Sequence, residues 1–380
     1  MSQSVSEKQP SIAFREATAN DINELVKLEN ISFETDRLTH RNFRWMITKA
    51  NAHLLIAELD GQFAGYGLAL FHEGTSLARL YSIAMYPHFR GYGLGRKILE
   101  KLEETAAEHD CVYMRLEVRP DNVSAIRMYE SMGYRNFSRK LDYYEDHADA
   151  LCYEKRIQFF PKHARLRVPY YRQTTDFTCG PASLIMAMAA FDKSITLTPH
   201  TELQIWREAT TIFMTSGHGG CGPHGLALAA WRRGFKVELF VNQTGPLFTE
   251  GVRSQHKKEV LELVHQDFVE EIKHTDIKMK HVPFTLKKLQ EKMAKGGVPL
   301  VLISSYRINK SKSPHWVVLT ASDERFMYLH DPEVDEEAHK MQTDCMHVPI
   351  RNKDFEAMTK FGRSQLKAAV IVYPREAVKT

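Results

Sequence analysis

The stretch TTDFTCGPASLIMAM, residues 174–188, sets Cys179 directly before a Gly-Pro pair and a run of small and apolar residues. Pro181 is tolerated in a first helical turn, where no internal hydrogen bond is lost, so a helix is expected to begin at or just after the cysteine. The positive end of the helix dipole then favours thiolate, the nucleophilic form of the side chain. Taken alone, Cys179 reads as a small buried residue, since free cysteine is among the most buried types. A partner changes that reading. In SPHWVVLTASDERFMYLHDP, residues 313–332, apolar runs flank a polar Ser-Asp-Glu, which is a hairpin pattern. With the turn centred on Asp323, His315 lies opposite Asp331. Cross-strand neighbours hold their Cβ atoms ~4.5–5.5 Å apart on one face, the separation at which a carboxylate orients an imidazole. Strand geometry thus supplies the rest of a Cys-His-Asp triad. Upstream, Gln173 can donate its amide to a developing oxyanion together with the Cys179 backbone N–H.

A second chemistry is written in ARLYSIAMYPHFRGYGLGRKILEKLEETAAEH, residues 78–109, which reads as a strand ending near Pro87, a glycine-rich turn and a helix with apolar residues at 94, 98, 99 and 102. Gly91, Gly93 and Gly95 let the backbone approach a ligand, free N–H groups at the helix start face an anion, and Arg90 adds a fixed positive charge. Alone, such a turn can also be a plain strand-to-helix connector. Its spacing does not follow G-x-G-x-x-G, which disfavours a dinucleotide site.

The wider context of that turn resembles the GCN5-related N-acetyltransferases. AMYPHFRGYGLGRKILEKL followed by YMRLEVRPDNVSAIRMYESMGYR carries their Arg-x-x-Gly-x-Gly hallmark at Arg90, Gly93 and Gly95, and the likeness runs through nearly all of residues 11–158. LEVRPDNVSAIRMYESMGY looks most like the ribosomal-protein-alanine N-acetyltransferases. The resemblance implies acetyl-CoA as co-substrate, held by Ile83, Ala84, Met85, Arg90, Gly91, Tyr92, Gly93, Leu94, Gly95, Arg96 and Asn122. It also implies Glu117 as general base for the incoming amine and Tyr129 as general acid for the departing thiolate. Both fit the chemistry, because an ammonium cannot attack a thioester and a thiolate leaves more easily beside a proton donor. Asn122 is placed to cap the helix carrying Tyr129. The segment ENISFETDRLTHRNFRWM lacks the Pro-Trp-Ser pattern usual at the acceptor site of the ribosomal-protein enzymes, which leaves a peptide N-terminus, a lysine or a small molecule as acceptor.

VPYYRQTTDFTCGPASL, HWVVL and LHDP together resemble papain-like cysteine peptidases, and within them the branch that cleaves double-glycine leader peptides; the likeness covers most of 166–375. It implies Cys179 as nucleophile, His315 as base and acid, Asp331 as orienter and Gln173 as oxyanion donor. No counterpart of that branch's transporter domain is expected within these 380 residues, where the partner resembles an acetyltransferase instead. Acyl transfer from the same acylated cysteine, and a peptide-recognition module with spent chemistry, are the competing readings of this half. In SGHGGCGPHGLALAAW, His218, Cys221 and His224 lack a fourth ligand, so no metal is expected there and a glycine-rich groove loop is preferred. His330 is assigned a structural place.

The elements that must carry these residues follow from periodicity. A flexible segment 1–10 precedes an α/β acetyltransferase domain over 11–158, with a strand, a helix near Asp21 and a hairpin at Asp60-Gly61. A linker is expected over 159–165, marked by Pro161 and basic residues, and an α+β papain-like domain over 166–380. In the latter, helices are expected near 181–191, 202–213, 225–233, 256–272 and 285–295, and strands at 235–241, 298–305, 316–321, 326–330 and 368–373. Two domains suit 380 residues with 43% hydrophobic and 26% charged content. Five scattered cysteines argue against a disulfide framework. A net charge of +4 is too mild to imply nucleic acid, and no apolar run has the length of a signal peptide or a membrane span, so a cytoplasmic enzyme acting on a peptide or protein is expected. The oligomeric state is not indicated.

Overall fold

A computed structural model of the chain describes residues 11–159, 162–210, 219–249, 252, 254–306, 313–335 and 340–375, with the side chains of 162–164 excepted. It divides into two compact units, Met1–Phe159 and Phe160–Thr380.

The first unit comprises β1 (Ile12–Glu16), α1 (Ile22–Ser32), α2 (His40–Thr48), β2 (Ala52–Leu59), β3 (Gln62–Phe71), β4 (Leu77–Met85), α3 (Leu94–Glu108), β5 (Tyr113–Val118), α4 (Val123–Ser131), β6 (Arg135–Lys140) and β7 (Ala150–Arg156). Its strands lie in the order β1-β2-β3-β4-β5-β7-β6, and β4–β5 is the parallel pair. Asp60 and Gly61 both take positive φ, 50° and 76°, which is the two-residue turn that matches strand twist. Alternate residues of β2 face opposite sides of the sheet. Leu54 joins Leu25, Phe43 and Tyr66 beneath α1 and α2, while Leu55 joins Ile98, Leu102 and Tyr129 beneath α3 and α4. The β4–β5 ladder ends at Leu80↔Leu116, yet β4 continues to Met85 and β5 to Val118. The two strands therefore part, and the opening leads to the glycine turn.

The second unit contains β8 (Lys162–Arg165), α5 (Cys179–Ala189), α6 (Pro199–Ala209), α7 (Pro223–Arg232), β9 (Lys236–Val241), α8 (Gln255–Lys273), β10 (Lys278–Lys280), α9 (Leu286–Ala294), β11 (Val298–Ser304), β12 (Pro314–Asp323), β13 (Phe326–His330), β14 (Val348–Arg351), α10 (Asn352–Met358) and β15 (Ala368–Tyr373). The sheet runs β10-β9-β15-β11-β12-β13-β14, with β8 on β12. Helix α5 is buried from Cys179 to Met188, as expected of a helix apolar on every side. A Cβ on Gly180 would come within 3.2 Å of Trp316 and Leu226, so glycine there sets how closely α5 docks on β12 and α7.

Three expectations are corrected. Lys162–Arg165, inside the expected linker 159–165, pairs with β12 and is strand. The β12–β13 register also differs from a turn centred on Asp323. Val318 faces His330 and Leu319 faces Leu329, then a bulge shifts the ladder so that Ala321 faces Tyr328 and Ser322 faces Met327. The cause is the Asp323 carboxylate, which accepts from the Arg325 and Phe326 N–H groups at 2.9 and 2.8 Å and moves the reversal toward Glu324. His315 pairs with Ile303 of β11 on the other edge of β12, and Asp331 lies just beyond the end of β13 rather than directly across the ladder. The helix expected over 202–213 begins earlier, at Pro199 behind a Thr198 cap, and 211–213 fall outside the described residues.

Candidate active sites

In the first unit, Glu117 follows Leu116, the last residue of β5 paired with β4, and pairs with Cys152 of β7 where β4 and β5 have parted. Its Oε2 accepts from Arg79 Nε at 2.9 Å, with the two side chains 6% and 4% exposed. Arg79 Nη2 also donates to the Tyr143 hydroxyl at 2.9 Å. The geometry adds Arg79 and Tyr143 to the residues expected here. A cation within LARLYSIAM, an otherwise apolar central strand, was the sequence signal, because a buried charge must find a partner. Tyr129, on α4, is buried, and burial pushes its phenol well above the usual range. Asn122 caps α4, its side-chain oxygen accepting from the Ala125 N–H at 3.2 Å. Gly93 is the N-cap of α3 with φ 71° and no side-chain cap, and Gly91 has φ 91°. The first-turn N–H groups of α3 are thus left without a capping side chain beside exposed Arg90, Tyr92 and Arg96, the last hydrogen-bonded to Ser131. Gly95 serves packing, since a Cβ there would lie 2.9 Å from Met85 Cε. Ile83, Ala84 and Met85 form the end of β4 beyond its pairing with β5, still paired with Gly67, Tyr66 and Gly65 of β3, and Leu94 is buried at the start of α3.

In the second unit, Cys179 opens α5. The Thr178 hydroxyl bonds back to the Thr175 carbonyl at 2.9 Å instead of capping the helix, which leaves the first N–H groups without a side-chain cap. His315 lies near enough to the Cys179 sulfur for the two to interact electrostatically, and its Nε2 lies 2.7 Å from Asp331 Oδ1. The same Oδ1 accepts the Glu333 N–H at 3.0 Å. Burial alone would lower His315, but the charge and hydrogen bond of Asp331, joined by the Cys179 sulfur, outweigh it and hold the imidazole well above its ordinary range. Burial would likewise raise Asp331, yet His315 and the Glu333 N–H hold it below the usual carboxylate range. Glu333, which the sequence did not single out, places Oε2 3.9 Å from His315 Nδ1, and burial raises its carboxyl. Gln173 donates its backbone N–H to Pro332 O at 2.9 Å, tying the segment before Cys179 to the one bearing Asp331. Its Oε1 is buried with no hydrogen-bond partner. Cys221 is buried, its thiol pushed well up by burial with Cys179 adding, and His224 stacks edge-on against His265. His218 lies outside the described residues. His330 accepts the His347 N–H at 2.9 Å and lies 2.9 Å from the Val168 carbonyl, a structural setting.

Residues 168–373 match the Peptidase_C39 like family, and residues 19–134 match the Acetyltransferase (GNAT) family. An uncharacterised N-acetyltransferase of Methanocaldococcus jannaschii is 32% identical over 143 residues, 37% of this chain and 90% of its own length. The chain belongs to both families. A Bacillus subtilis protein named for ribosomal protein bS18-alanine N-acetylation is 28% identical over 138 residues, covering 36% of this chain and 89% of its own. The solved ribosomal-protein-S18-alanine N-acetyltransferase of Escherichia coli aligns with 40% of this chain and 97% of its own at 22% identity, with a TM-score of 0.37.

The first unit is thus an N-acetyltransferase of the GNAT family, with acetyl-CoA as co-substrate. The residues fit that group: the parted β4 and β5 make room for an extended chain, and uncapped N–H groups at the start of α3 suit phosphate oxygens. The second unit is a Peptidase_C39-like domain. Among the described residues no helix is long and apolar enough to cross a membrane.

Proposed function

We propose that the chain is a bifunctional enzyme that acetylates an amine of a peptide or protein in its first unit and performs thiol hydrolysis of a peptide in its second. The acetylated acceptor is a protein amine on this reading because the Bacillus subtilis relative is named for acetylating a ribosomal protein. Acetyl-CoA supplies an acyl group activated as a thioester. Glu117 takes the proton that the acceptor amine must lose, and Arg79 fixes the carboxylate for that task. Tyr129, kept protonated by burial, delivers a proton to the departing sulfur. The turn from Arg90 to Arg96, with Ile83, Ala84, Met85 and Asn122 beside it, binds the co-substrate.

In the second unit the observation that carries the reading is the buried His315–Asp331 bond beside Cys179. Cys179 attacks the scissile carbonyl, and His315 takes the thiol proton and returns it to the leaving amine. Asp331 holds the ring, and Gln173 with the Cys179 N–H donates to the oxyanion. Water then releases the acyl group from the sulfur, regenerating the thiol.

Full-length protein incubated with acetyl-CoA and a peptide library, and read by intact mass, tests both halves. Acetylated products should be lost, by roughly 10²–10⁴-fold in rate, in Glu117→Gln and in Tyr129→Phe. Products shortened with uptake of one water should be lost in Cys179→Ala alone. Cleavage that persists in Cys179→Ala, or acetylation indifferent to both first-unit variants, would sink the corresponding half.

A further inference from the structure

Glu202 lies in the first turn of α6 and is fully buried. Among the described residues no lysine or arginine pairs with it. Its hydrogen bonds go to one short segment instead: Oε1 accepts from the Thr174 N–H at 2.9 Å, and Oε2 accepts from the Tyr171 hydroxyl at 2.7 Å and the Thr174 hydroxyl at 2.8 Å. A carboxylate is costly to bury, and three donors together with the positive end of α6 offset that cost. The residue enclosed by those contacts is Gln173. Opposite Glu202 the same segment is fastened to the Asp331 loop, by the Gln173 N–H to Pro332 O at 2.9 Å and by the Tyr170 hydroxyl to Asp331 O at 3.0 Å. Gln173 is thereby flanked by the held residues Tyr171 and Thr174 while its own amide oxygen is buried without a partner.

From this arrangement we infer that Glu202 is a positioning residue, a hydrogen-bonding clamp that fixes the segment 171–174 and aims the Gln173 amide at the oxyanion. The inference rests on the thiol-hydrolase reading for its catalytic consequence, though not for the clamp. Hydrogen bonding, rather than charge, is the active property. A glutamine at 202 can keep the acceptor for the Thr174 N–H and offer its NH₂ to the two hydroxyls, each of which can accept as well as donate. Alanine can do neither.

The test uses the full chain carrying Glu202→Ala, Glu202→Gln, Gln173→Ala and the double variant Glu202→Ala/Gln173→Ala. Loss of an oxyanion donor costs on the order of 10²–10³ in kcat, so Glu202→Ala should fall by at least about 10-fold with KM little changed, and Glu202→Gln should stay within about 3-fold of the parent. The double variant should be no slower than Gln173→Ala alone, because Glu202 acts through that residue. Alkylation of Cys179 by iodoacetamide forms no oxyanion, so its rate should be the same in all four. A parallel loss of alkylation and turnover in Glu202→Ala would mean general disruption and overturn the inference, as would additive losses in the double variant or a Glu202→Gln as slow as the alanine. Amide exchange at Gln173 and Thr174, followed by mass spectrometry, needs no substrate. Faster exchange in Glu202→Ala but not Glu202→Gln supports the clamp even if the parent cleaves nothing, in which case the hydrolase reading alone fails. Unchanged exchange in Glu202→Ala overturns the clamp whatever the activity, and a variant that does not fold leaves Glu202→Gln and Gln173→Ala to decide by the same two readouts.

Discussion

Replacing Asp331 separates the charge of the proposed triad carboxylate from its shape. Both the His315 ring, at 2.7 Å, and the Glu333 N–H, at 3.0 Å, are bound by the same oxygen, Oδ1. Asparagine can present an oxygen there and keep both contacts, losing only the charge. A hydrogen bond to a charged group contributes ~1.5–3 kcal/mol and a neutral one ~0.5–1.5 kcal/mol, so Asp331→Asn should cost about 1–1.5 kcal/mol, roughly 10-fold in turnover. Alanine removes the acceptor and leaves a buried imidazole N–H with no partner. With side chains only 6% and 12% exposed, solvent cannot replace it. Breaking a buried pair from one side costs ~3–5 kcal/mol, so Asp331→Ala should lower turnover by roughly 10²–10³ and the unfolding midpoint of the second unit by about 6–20 °C. Alkylation of Cys179 at neutral pH, timed by intact mass alongside a thermal melt, measures both variants before any substrate is known. The expected order is parent, asparagine, alanine in both assays. Equal alkylation rates and equal midpoints for Asp331→Ala and the parent would refute the view that this contact organises the site.

Three further outcomes are expected. The stability gap between the parent and Asp331→Asn should depend on pH. His315 is raised in the folded state, so its contribution is complete below ~6.5 and is lost as pH rises through the raised value; Asp331 is lowered, so its contribution is present above ~3.9 and is lost as pH falls through the lowered value. Thermal melts should therefore show the widest gap between about pH 4 and 6.5 and a narrower one on both sides, whereas a gap independent of pH would count against the pair. In the first unit, Arg79→Met removes the cation paired with the buried Glu117 and should destabilise by ~3–5 kcal/mol with loss of acetyl transfer, while Arg79→Lys keeps charge but not the fork to Glu117 and Tyr143 and should be intermediate, as denaturant melts and transfer rates can check. Gly93→Ala, at φ 71° with open space around it, should cost ~1–2 kcal/mol from backbone strain alone, and Gly95→Ala should cost less because the atom it meets first is the flexible end of Met85; equal costs would show that Met85 cannot give way at Gly95.

How much of this was legible beforehand depends on the kind of interaction involved. Local patterns read through: the Asp60-Gly61 turn, the apolar face of α3 and the all-apolar α5 each specify their element from a few adjacent residues. His315 and Asp331 could be named as a pair from the expected hairpin, yet the geometry that joins them differs from the expected one. A turn residue that bonds its own backbone moves the reversal, and a bulge shifts the ladder, so that Asp331 reaches His315 from beyond the strand end. Neither effect is visible in alternation of apolar and polar residues, which is unchanged by where a turn closes. Two of the residues that escaped notice, Arg79 and Glu202, share a different feature. Each is a charge at a position whose spacing places it on a buried face: Arg79 amid the apolar β4, and Glu202 in register with Ile205 and Ala209 on α6. Periodicity treats such a residue as an exception to its element, and its partners lie 38 and 28 residues away along the chain. A charge on an inward position is nonetheless the more informative signal, because it can stay there only if the fold brings donors or a counter-charge to it. In both units those partners belong to the segments that carry the expected chemistry. The misfit residues in the sequence thus point to the same sites as the motifs do, by an independent physical requirement.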